Sequence, residues 1–242
     1  MTNIVIPMAG AGSRFIEAGY ATPKPFIEVF DKPMISQVMD NLSMADARFY
    51  LIARKDHLEE EASLVAQLSK QYNVTFIGID HLTEGTACTV LYARQYINND
   101  EPLIVANSDQ IVDINIAEYV EDCLGRKLDG SIMTFYEYSG DKKWSYARTD
   151  DNGIVCEVRE KEAISELATV GIYLYSRGRY FVNSAIDMII ERDTVNSEYY
   201  TCPTYNYMVK EGLRVGVFNI EYCQMHGLGT PADLEKYISN AP

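Results

Sequence analysis

Residues 3–15 read NIVIPMAGAGSRF, an apolar run followed by a glycine pair, Gly10 and Gly12. The apolar run, Asn3 to Met8, predicts a buried β-strand, and glycines placed directly after a strand let the backbone turn sharply. Consecutive N–H groups in such a turn can point at the oxygens of an anion. The stretch therefore predicts an α/β fold whose first strand leads into a phosphate-binding loop. A tight strand-to-helix connection without a ligand is the alternative.

Two basic residues favour the phosphate-binding interpretation. Arg14 follows the glycine pair and carries a planar guanidinium that matches phosphate oxygens. Lys24 stands between Pro23 and Pro25, so its compact charge is carried on a stiff loop. Both side chains suit a triphosphate. A dinucleotide-binding fingerprint is excluded, because no third glycine follows at the required place.

The rest of the chain alternates apolar runs with stretches of helical period, which predicts a mixed, mostly parallel sheet flanked by helices. In the first half, further strands are predicted at Phe49–Ala53, Val74–Ile79 and Leu103–Asn107, with helices at Pro33–Leu42, Leu58–Tyr72 and Thr86–Tyr96. Later strands are predicted at Ser131–Glu137, Ser145–Thr149, Ile154–Arg159, Thr169–Tyr175, Arg214–Asn219 and Tyr222–Met225. Later helices are predicted at Tyr180–Glu191, Tyr205–Glu211 and Pro231–Ser239. We expect one domain over residues 1–242, with a first half at about 1–115 that binds one ligand and a second half at about 116–242 that shapes a second site.

Composition limits the classes of partner. The 242 residues carry 21 Lys and Arg against 35 Asp and Glu, a formal net charge of −14. That charge repels a nucleic-acid backbone and an anionic membrane surface, whereas local basic groups can still bind a small phosphorylated ligand. Five cysteines without a C-x-x-C pair and a chain start without a long apolar segment predict a reducing, cytoplasmic location. The sequence leaves the oligomeric state open, a homo-oligomer included.

Four more short motifs follow the G-x-G-x-R-F loop and the P-K-P element in order. They are Gly85-Thr86-Ala87, Ser108-Asp109, Glu160-Lys161 and Gly229-Thr230-Pro231. From about Asn3 to about Leu234, this ordered set resembles the sugar-phosphate nucleotidyltransferases, also called NDP-sugar pyrophosphorylases. The resemblance implies a Rossmann-like fold related to that of GT-A glycosyltransferases. It also implies Mg²⁺-dependent joining of a nucleoside triphosphate to a phosphorylated acceptor, with release of pyrophosphate.

Asp109 is the predicted metal ligand. It sits where a buried parallel strand should end, at the edge where open α/β sheets bind ligands, and a carboxylate there can hold Mg²⁺ against phosphate oxygens. A helix cap or turn aspartate is the alternative. The resemblance adds roles for further residues. The implied catalytic residues are Arg14, Lys24, Asp109 and Lys161. The implied nucleotide-binding residues are Ala9, Gly10, Ala11, Gly12, Ser13, Arg14, Glu84, Gly85, Thr86 and Ser108.

The acceptor is expected to bind in the second half, at Glu160, Lys161, Gly171, Tyr173 and His226. Lys161 would neutralise the acceptor phosphate and Glu160 would bind its polar body. The alternatives are a solvated ion pair for Glu160 and Lys161, core packing for Gly171 and Tyr173, and a loop support for His226.

Glu84 and Gly85 are expected to lie against the base of the nucleotide, with Gly85 leaving room beside the backbone. A plain helix N-terminus capped by Thr83 or Thr86 is equally compatible with these residues. His57 and His81 are expected to be solvated.

One position departs from the family pattern. Many members carry an Asp two residues before the late G-T, where it supplies a second metal contact, but this chain has Gly227 there. A two-carboxylate metal site is therefore not expected. The short length and the H-G-L-G-T-P variant resemble capsule and lipopolysaccharide enzymes, and the lack of a C-terminal repeat domain favours CTP over UTP or dTTP. The acceptor is then a sugar phosphate or another small phosphate ester.

Two rival functions stay open. A GT-A-type glycosyltransferase using a nucleotide sugar needs a D-x-D motif, whereas Ser108-Asp109-Gln110 has one carboxylate. A non-catalytic nucleotide-binding protein would account for Gly227.

Overall fold

The first strand, β1 (Thr2–Pro7), lies inside the sheet because both of its faces are apolar. Ile4, Val5 and Ile6 have no exposed surface. Ile4 and Ile6 pack into one hydrophobic cluster and Val5 packs into another, as the alternation of side chains along a strand requires. The strand therefore separates two layers of core. The computed structural model describes residues 1–240, except for the side chain of Asn240, and the last two residues of the predicted 1–242 domain lie outside it.

The remaining elements follow in chain order. The strands are β2 (Glu28–Val29), β3 (Lys32–Pro33), β4 (Ala47–Arg54), β5 (Val74–Ile79), β6 (Leu103–Ala106), β7 (Gln110–Val112), β8 (Gly130–Tyr136), β9 (Ser145–Thr149), β10 (Val155–Glu160), β11 (Leu167–Tyr175), β12 (Val215–Asn219) and β13 (Met225–Gly227). The helices are α1 (Ser13–Glu17), α2 (Met34–Asn41), α3 (Lys55–Glu60), α4 (Ala62–Gln71), α5 (Thr86–Val90), α6 (Arg94–Ile97), α7 (Ile116–Gly125), α8 (Gly178–Ile190), α9 (Thr204–Lys210) and α10 (Pro231–Asn240).

The central sheet is mixed and flanked by helices, which confirms the predicted fold class. Its order is β10-β9-β11-β6-β1-β4-β5, with β8 joined to β11 and β12 joined to β8. The strands β6, β1, β4 and β5 are mutually parallel, and β11 runs antiparallel to β6. The carboxyl ends of β1 and β6 therefore meet at one edge, which is where the loops that follow them lie. Two-stranded ladders join β7 to β13 and β2 to β3.

Some predicted elements differ from the observed ones. The helix predicted at Leu58–Tyr72 is interrupted at Glu61, where α3 ends and α4 begins. The helix predicted at Thr86–Tyr96 is divided into α5, a 3-10 turn and α6. Two helices, α1 and α7, were not predicted. The sequence feature that could have indicated α7 is Asn115. Its side-chain oxygen accepts a hydrogen bond from the Ala117 N–H and caps the helix.

The strand predicted at Tyr222–Met225 is wrong over most of its length. Tyr222–Gln224 is a 3-10 turn, and the strand starts only at Met225. The reason is a capping box in which the side chain of Glu221 accepts from the backbone of Gln224, while the Gln224 side chain accepts from the Glu221 N–H. The turn thereby brings β13 beside β7. Among the described helices, none is both long enough and apolar enough to cross a membrane.

Candidate active site

The loop after β1 exposes a row of backbone donors. Gly12 adopts a positive φ of 63°, which a glycine accommodates without strain, and α1 begins directly after it. The N–H groups of residues 10–14 donate to no backbone or side-chain acceptor within the described residues 1–240. Phe15 is buried beneath the loop and packs edge-to-face on Tyr20, with ring centroids 5.2 Å apart. The loop is thus anchored from below while its donors stay available to an anion.

Lys24 reaches from its turn to Asp109. The Pro25 and Phe26 side chains are buried, so the short 3-10 turn that starts at Lys24 is fixed to the core. The Lys24 Nζ donates to Asp109 Oδ2 and lies 3.5 Å from the Gly229 carbonyl oxygen. The two side chains retain only 17% and 25% of their exposure. The predicted loop lysine and the predicted metal ligand are therefore brought together, 85 residues apart in the chain.

The β7/β13 ladder holds the late G-T motif against Asp109. Gly227 pairs with Gln110, and the Leu228 N–H donates to the Asp109 carbonyl oxygen at 2.7 Å. A Cβ placed on Gly229 would lie 3.3 Å from Asp109 Oδ2, whereas a Cβ on Gly227 would meet no atom within 4 Å. Gly227, where relatives are expected to carry an Asp, therefore lies one ladder position from Asp109 with open space beside it.

The donor set at Asp109 fits a magnesium ion that is shared with a substrate. Within residues 1–240, no three or more His, Cys, Asp and Glu side chains come together as a metal site. Mg²⁺ in nucleotide enzymes is commonly held by one or two carboxylates plus substrate phosphates, so a closed protein cage is not required. Asp109 meets this requirement, because its partly exposed carboxylate already accepts a cation, the Lys24 ammonium.

A cavity of about 270 Å³ lies beside the glycine loop. Residues of the loop and of the P-K-P turn line one wall, among them Gly10, Gly12 and Lys24. We call this space the loop cavity. Arg14, predicted to bind phosphate, is exposed and does not line it, and Ala9 is buried beneath the loop.

Another part of the lining of the loop cavity was not predicted. It carries Arg54, Asp56, His57 and Glu60, from the end of β4 and from α3. Arg54 is paired with Asp56, an arrangement that raises the pKa of the arginine and lowers that of the aspartate. The expectation that His57 is solvated is wrong: its Nδ1 is buried without a hydrogen-bond partner within the described residues, and burial lowers its pKa. No sequence signal marked this wall, since a turn after β4 has no distinctive motif.

Gly85 is required by chain packing. Its φ is 123°, and a Cβ there would lie 2.4 Å from the Tyr199 carbonyl oxygen. The Tyr199 N–H donates to the Glu84 carbonyl oxygen, and the Ala87 N–H donates to the Tyr199 carbonyl oxygen. The space that was expected to admit a nucleotide base at Gly85 is thus filled by the backbone of Tyr199. The Glu84 side chain is exposed, and Thr86 faces a second cavity.

This second cavity, of about 240 Å³, lies between the carboxyl end of β6 and the strands β9, β10 and β11. We call it the strand cavity. Three predicted acceptor residues, Glu160, Gly171 and Tyr173, line it. Its walls also contain residues that the sequence did not identify as site residues, namely Asn107, Gln110, Trp144, Ser145, Tyr200 and Thr201. Asn107 and Gln110 flank Ser108-Asp109. Their position next to Asp109, the predicted metal ligand, is the sequence feature that could have identified them.

Gly171 shapes the strand cavity through a bulge. Its φ is 92°, and the β11/β8 register shifts between Thr169 and Tyr173. A Cβ at Gly171 would lie 2.2 Å from Asn107 Nδ2, so only glycine lets the Asn107 amide occupy this position. The Asn107 N–H also donates to the Gly171 carbonyl oxygen at 3.0 Å. The bulge therefore orients the Asn107 side chain in the cavity wall.

Glu160 is the acidic group of the strand cavity. The β9/β10 pairing places it opposite Ser145, whose hydroxyl donates to Glu160 Oε2. Burial raises the pKa of Glu160, and the hydrogen bond from Ser145 partly opposes that shift. Lys161, the next residue, lies at the rim, and its ammonium donates to the Tyr200 hydroxyl at 2.6 Å. A half-buried carboxylate inside the cavity and a cation at its rim can bind hydroxyl groups and an anion, respectively.

The loop of residues 137–144 borders the strand cavity through Lys143 and Trp144. Glu137 organises it by accepting hydrogen bonds from the N–H groups of Ser139, Gly140 and Asp141, and from the hydroxyls of Ser139 and Tyr146. The hydrogen bond from the Ser139 hydroxyl is the largest of the effects that lower the pKa of Glu137 to about 2.

His226 and Ser108 are among the predicted site residues that line neither cavity. His226 is bonded through Nε2 to Asp113 Oδ2 at 2.7 Å, and its ring lies 5.6 Å from that of Tyr237. Ser108 is half-buried between Asn107 and Asp109 and lines neither cavity. The structure brings Lys24 into contact with Asp109, and it places Glu160 in the wall of the strand cavity with Lys161 next to it.

Comparison with known proteins gives the family to which this site belongs. The sequence model described as nucleotidyl transferase matches residues 4–204. The chain therefore belongs to the nucleotidyl transferase family.

Two characterised relatives illustrate the range of the family. The chain is 28% identical over 183 residues to the mannose-1-phosphate guanylyltransferase catalytic subunit beta of Drosophila melanogaster, which covers 72% of this chain and 48% of the fly protein. It is 25% identical over 264 residues to the UTP–glucose-1-phosphate uridylyltransferase of Haemophilus influenzae, covering 84% of this chain and 87% of the relative. The chain thus spans about half the length of the fly subunit that it matches.

A solved structure shows the same fold. The nucleoside-diphosphate-sugar pyrophosphorylase of Vibrio cholerae RC9 superposes with a TM-score of 0.85 at 23% identity, covering 98% of this chain and 100% of that protein. The superposition agrees with the observed mixed sheet and with the prediction of a nucleotidyltransferase-type fold.

Proposed function

We propose that this protein transfers a nucleotidyl group from a nucleoside triphosphate to the phosphate of a small acceptor and releases pyrophosphate. The observation that carries the proposal is the contact between Lys24 and Asp109. Lys24 lines the loop cavity, and Asp109 stands between Asn107 and Gln110, which line the strand cavity. The ion pair therefore links a residue of the loop cavity to the segment that borders the strand cavity, which supports the transfer of a group between two bound substrates.

The triphosphate binds along the free N–H groups of residues 10–14, with Lys24 neutralising its charge. Asp109 would hold Mg²⁺, and the ion would supply positive charge that stabilises the transferring group. An oxygen of the acceptor phosphate attacks the α-phosphorus in line. The bond from the α-phosphorus to the bridging oxygen breaks, and pyrophosphate takes that electron pair away. No nucleophilic side chain takes part, so catalysis consists of positioning and charge stabilisation.

The acceptor occupies the strand cavity. Glu160 and the amides of Asn107 and Gln110 offer several hydrogen-bonding groups, and Trp144 offers an apolar face. This wall matches a sugar phosphate, and a small polyol phosphate shares the same chemistry. Lys161 at the rim binds the phosphate of the acceptor, where a positive charge offsets its negative charge.

The nucleotide and the pathway are further parts of the proposal. The resemblance to cytidylyltransferases favours CTP, whereas the two relatives named above are a guanylyltransferase and a uridylyltransferase. A role in capsule or lipopolysaccharide precursor synthesis follows from the H-G-L-G-T-P variant. All four ribonucleotides and dTTP therefore belong in the test.

Two observations define the rivals. A GT-A glycosyltransferase needs a D-x-D motif, and the corresponding Ser108-Asp109-Gln110 has one carboxylate. A non-catalytic nucleotide-binding protein is motivated by Gly227, which stands where the family pattern has an acidic residue.

One assay separates these functions. The protein is mixed with Mg²⁺, each nucleoside triphosphate in turn and a panel of phosphorylated acceptors, and pyrophosphate is measured. Release that depends on both substrates supports the proposal. Consumption of a nucleotide sugar without pyrophosphate release would identify a glycosyltransferase, and binding of nucleotide without turnover would identify the non-catalytic protein.

A further inference from the structure

Tyr200 lies between two charged side chains at the rim of the strand cavity. Its hydroxyl accepts a hydrogen bond from the Lys161 Nζ at 2.6 Å and donates one to Glu198 Oε2. The Lys161 ammonium also lies 4.6 Å from the centroid of the Tyr200 ring. Tyr200 lines the cavity, whereas Lys161 does not. The lysine is therefore held at the edge of the cavity by a residue that forms part of its wall.

The backbone on both sides of this contact is fixed. Lys161 has a positive φ of 59°, rare for a lysine, and its N–H donates to the Trp144 carbonyl oxygen at 3.0 Å. On the other side, Val195 and Glu198 exchange two backbone hydrogen bonds of 3.0 Å across a tight turn. Both turn residues, Asn196 and Ser197, have positive φ values of 52° and 63°. Such a turn presents Glu198 and the residues after it at a defined angle.

Tyr200 is also fixed from behind by its neighbours. Tyr199 is joined through its backbone to Glu84 and Ala87, and the Thr201 N–H donates to the Thr86 Oγ1 at 3.1 Å. The hydroxyl of Tyr200 is thus a fixed point, whereas the lysine side chain is long and flexible.

We propose that Tyr200 is a positioning residue that holds the Lys161 ammonium at the rim of the strand cavity, ready for the phosphate of the acceptor. This inference rests on the proposed function and adds a residue to it. Rotamer freedom that Lys161 loses on folding does not have to be lost again when the acceptor binds. A single phenol can serve this role because it accepts from the lysine while donating to Glu198.

The charge states agree with this role. The hydrogen bond with Tyr200 is the largest of the effects that raise the pKa of Lys161, so the ammonium keeps its charge. Burial, followed by the hydrogen bond to Glu198, raises the pKa of Tyr200, so the phenol keeps its proton. Besides Tyr200, the groups that act on Lys161 are the carboxylates of Glu160 and Glu198.

The first test is a double-mutant cycle read as steady-state kinetics. Tyr200→Phe removes the hydroxyl and keeps the ring. We expect it to raise the KM for the acceptor about tenfold and to change kcat and the KM for the nucleotide little. This is the result expected when the lost contact stabilises the ground state and the transition state equally. In a Lys161→Met background the same substitution should have no further effect, because the tyrosine acts through the lysine. Additive losses would overturn the proposal.

The second test does not depend on activity. Lysines of the intact protein are labelled by reductive methylation with ¹³C-formaldehyde, and the Lys161 signal is assigned by its loss in Lys161→Arg. We expect its pKa to fall in Tyr200→Phe and to stay unchanged in Tyr96→Phe. The control removes a half-exposed phenol whose hydroxyl makes no hydrogen bond within residues 1–240.

The two tests separate the two proposals. If no substrate pair yields pyrophosphate and the Lys161 pKa still falls in Tyr200→Phe, the positioning stands and the proposed function fails. An active enzyme in which Tyr200→Phe changes neither the acceptor KM nor the Lys161 pKa would refute the positioning alone. Should Tyr200→Phe fold poorly, Glu198→Gln weakens the same network and is expected to shift both readouts in the same direction.

Discussion

The Lys24 ammonium and the Asp109 carboxylate form an ion pair that joins the glycine-loop side of the sheet to the end of β6. Each group neutralises the other in a partly enclosed position, so neither carries an uncompensated charge before substrates bind. A cation already occupies the place beside Asp109 where the metal is expected. Binding of a metal–nucleotide complex would exchange partners, with Lys24 moving to phosphate and Asp109 to the metal.

Asp109→Asn is expected to lower kcat by about 10²-fold or more, because it withdraws charge from the site of phosphoryl transfer. The matched control is Asp113→Asn. It removes an exposed carboxylate that directly follows β7 and is bonded to His226. Pyrophosphate release under saturating substrates is the measurement. Near-normal turnover in Asp109→Asn would show that the metal lies elsewhere.

Lys24→Ala is expected to reduce turnover by a similar factor, about 10²-fold, since the loop loses its positive charge toward the triphosphate. Lys32→Ala removes a lysine from an exposed pair with Asp40 and should leave the rate unchanged. Rates are compared at matched Mg²⁺ concentrations. Equal rates for the two variants would contradict the assignment of Lys24.

Gly227→Asp tests the departure from the family pattern. The Cβ of the new side chain would have no atom within 4 Å, so the variant protein should fold normally. The substitution then adds a second carboxylate one ladder position from Asp109. We expect the Mg²⁺ concentration for half-maximal activity to fall, while Gly227→Asn, of equal size and without the charge, changes it little. A titration with Mg²⁺ at fixed nucleotide decides the matter, and an unchanged midpoint in the Asp variant would argue against a metal at this position.

Gly85→Ala should destabilise the fold, because its Cβ would collide with the Tyr199 backbone and its φ of 123° is strained for alanine. A cost of about 3 kcal/mol corresponds to a fall in Tm of roughly 6–12 °C for a chain of this size. Gly125→Ala, at the end of α7 with no atom near its Cβ, should be neutral or slightly stabilising. Thermal unfolding followed by circular dichroism measures both, and similar melting temperatures would be the contrary result.

Because its pKa is lowered in the folded state, Glu137 should make the free energy of unfolding depend on pH below about 4.5. Its pKa is lowered from 4.5 to about 2 by the hydrogen bonds that close the 137–144 loop. Its contribution is therefore fully present above about pH 4.5 and is lost as the pH falls toward 2. Glu137→Gln should lose stability at pH 7 and show a flatter decline below pH 4.5, whereas the exposed Glu121→Gln should follow the wild type. Urea midpoints at pH 7, 4 and 3 provide the comparison.

The sequence predicted those parts of the molecule that depend on local signals. The apolar run of β1 and the glycine pair after it specified the first strand and its loop, and the order of short motifs singled out Asp109 and Lys24, which the fold brings into contact. The short apolar strands β4, β5 and β6 were also found, because a buried parallel strand has a continuous apolar sequence.

What could not be predicted depends on contacts between distant segments. Arg54 and His57 reach the loop cavity only because β4 lies beside β1 in the sheet. Likewise, Gly85 was read as room for a base, but its neighbour is Tyr199, which is 114 residues further along the chain. A single sequence does not indicate which backbone will occupy the space that a glycine leaves free.

The joining of residues 84–87 to residues 199–201 has a consequence for the order of events during turnover. The segment that follows β5 and the segment that carries Tyr200 are joined by hydrogen bonds, so a displacement of one is expected to be transmitted to the other. A nucleotide that displaces the first segment will displace the tyrosine, and with it the Lys161 ammonium. The two substrates are therefore expected to sense each other, with one ligand altering the affinity for the other before any bond is broken.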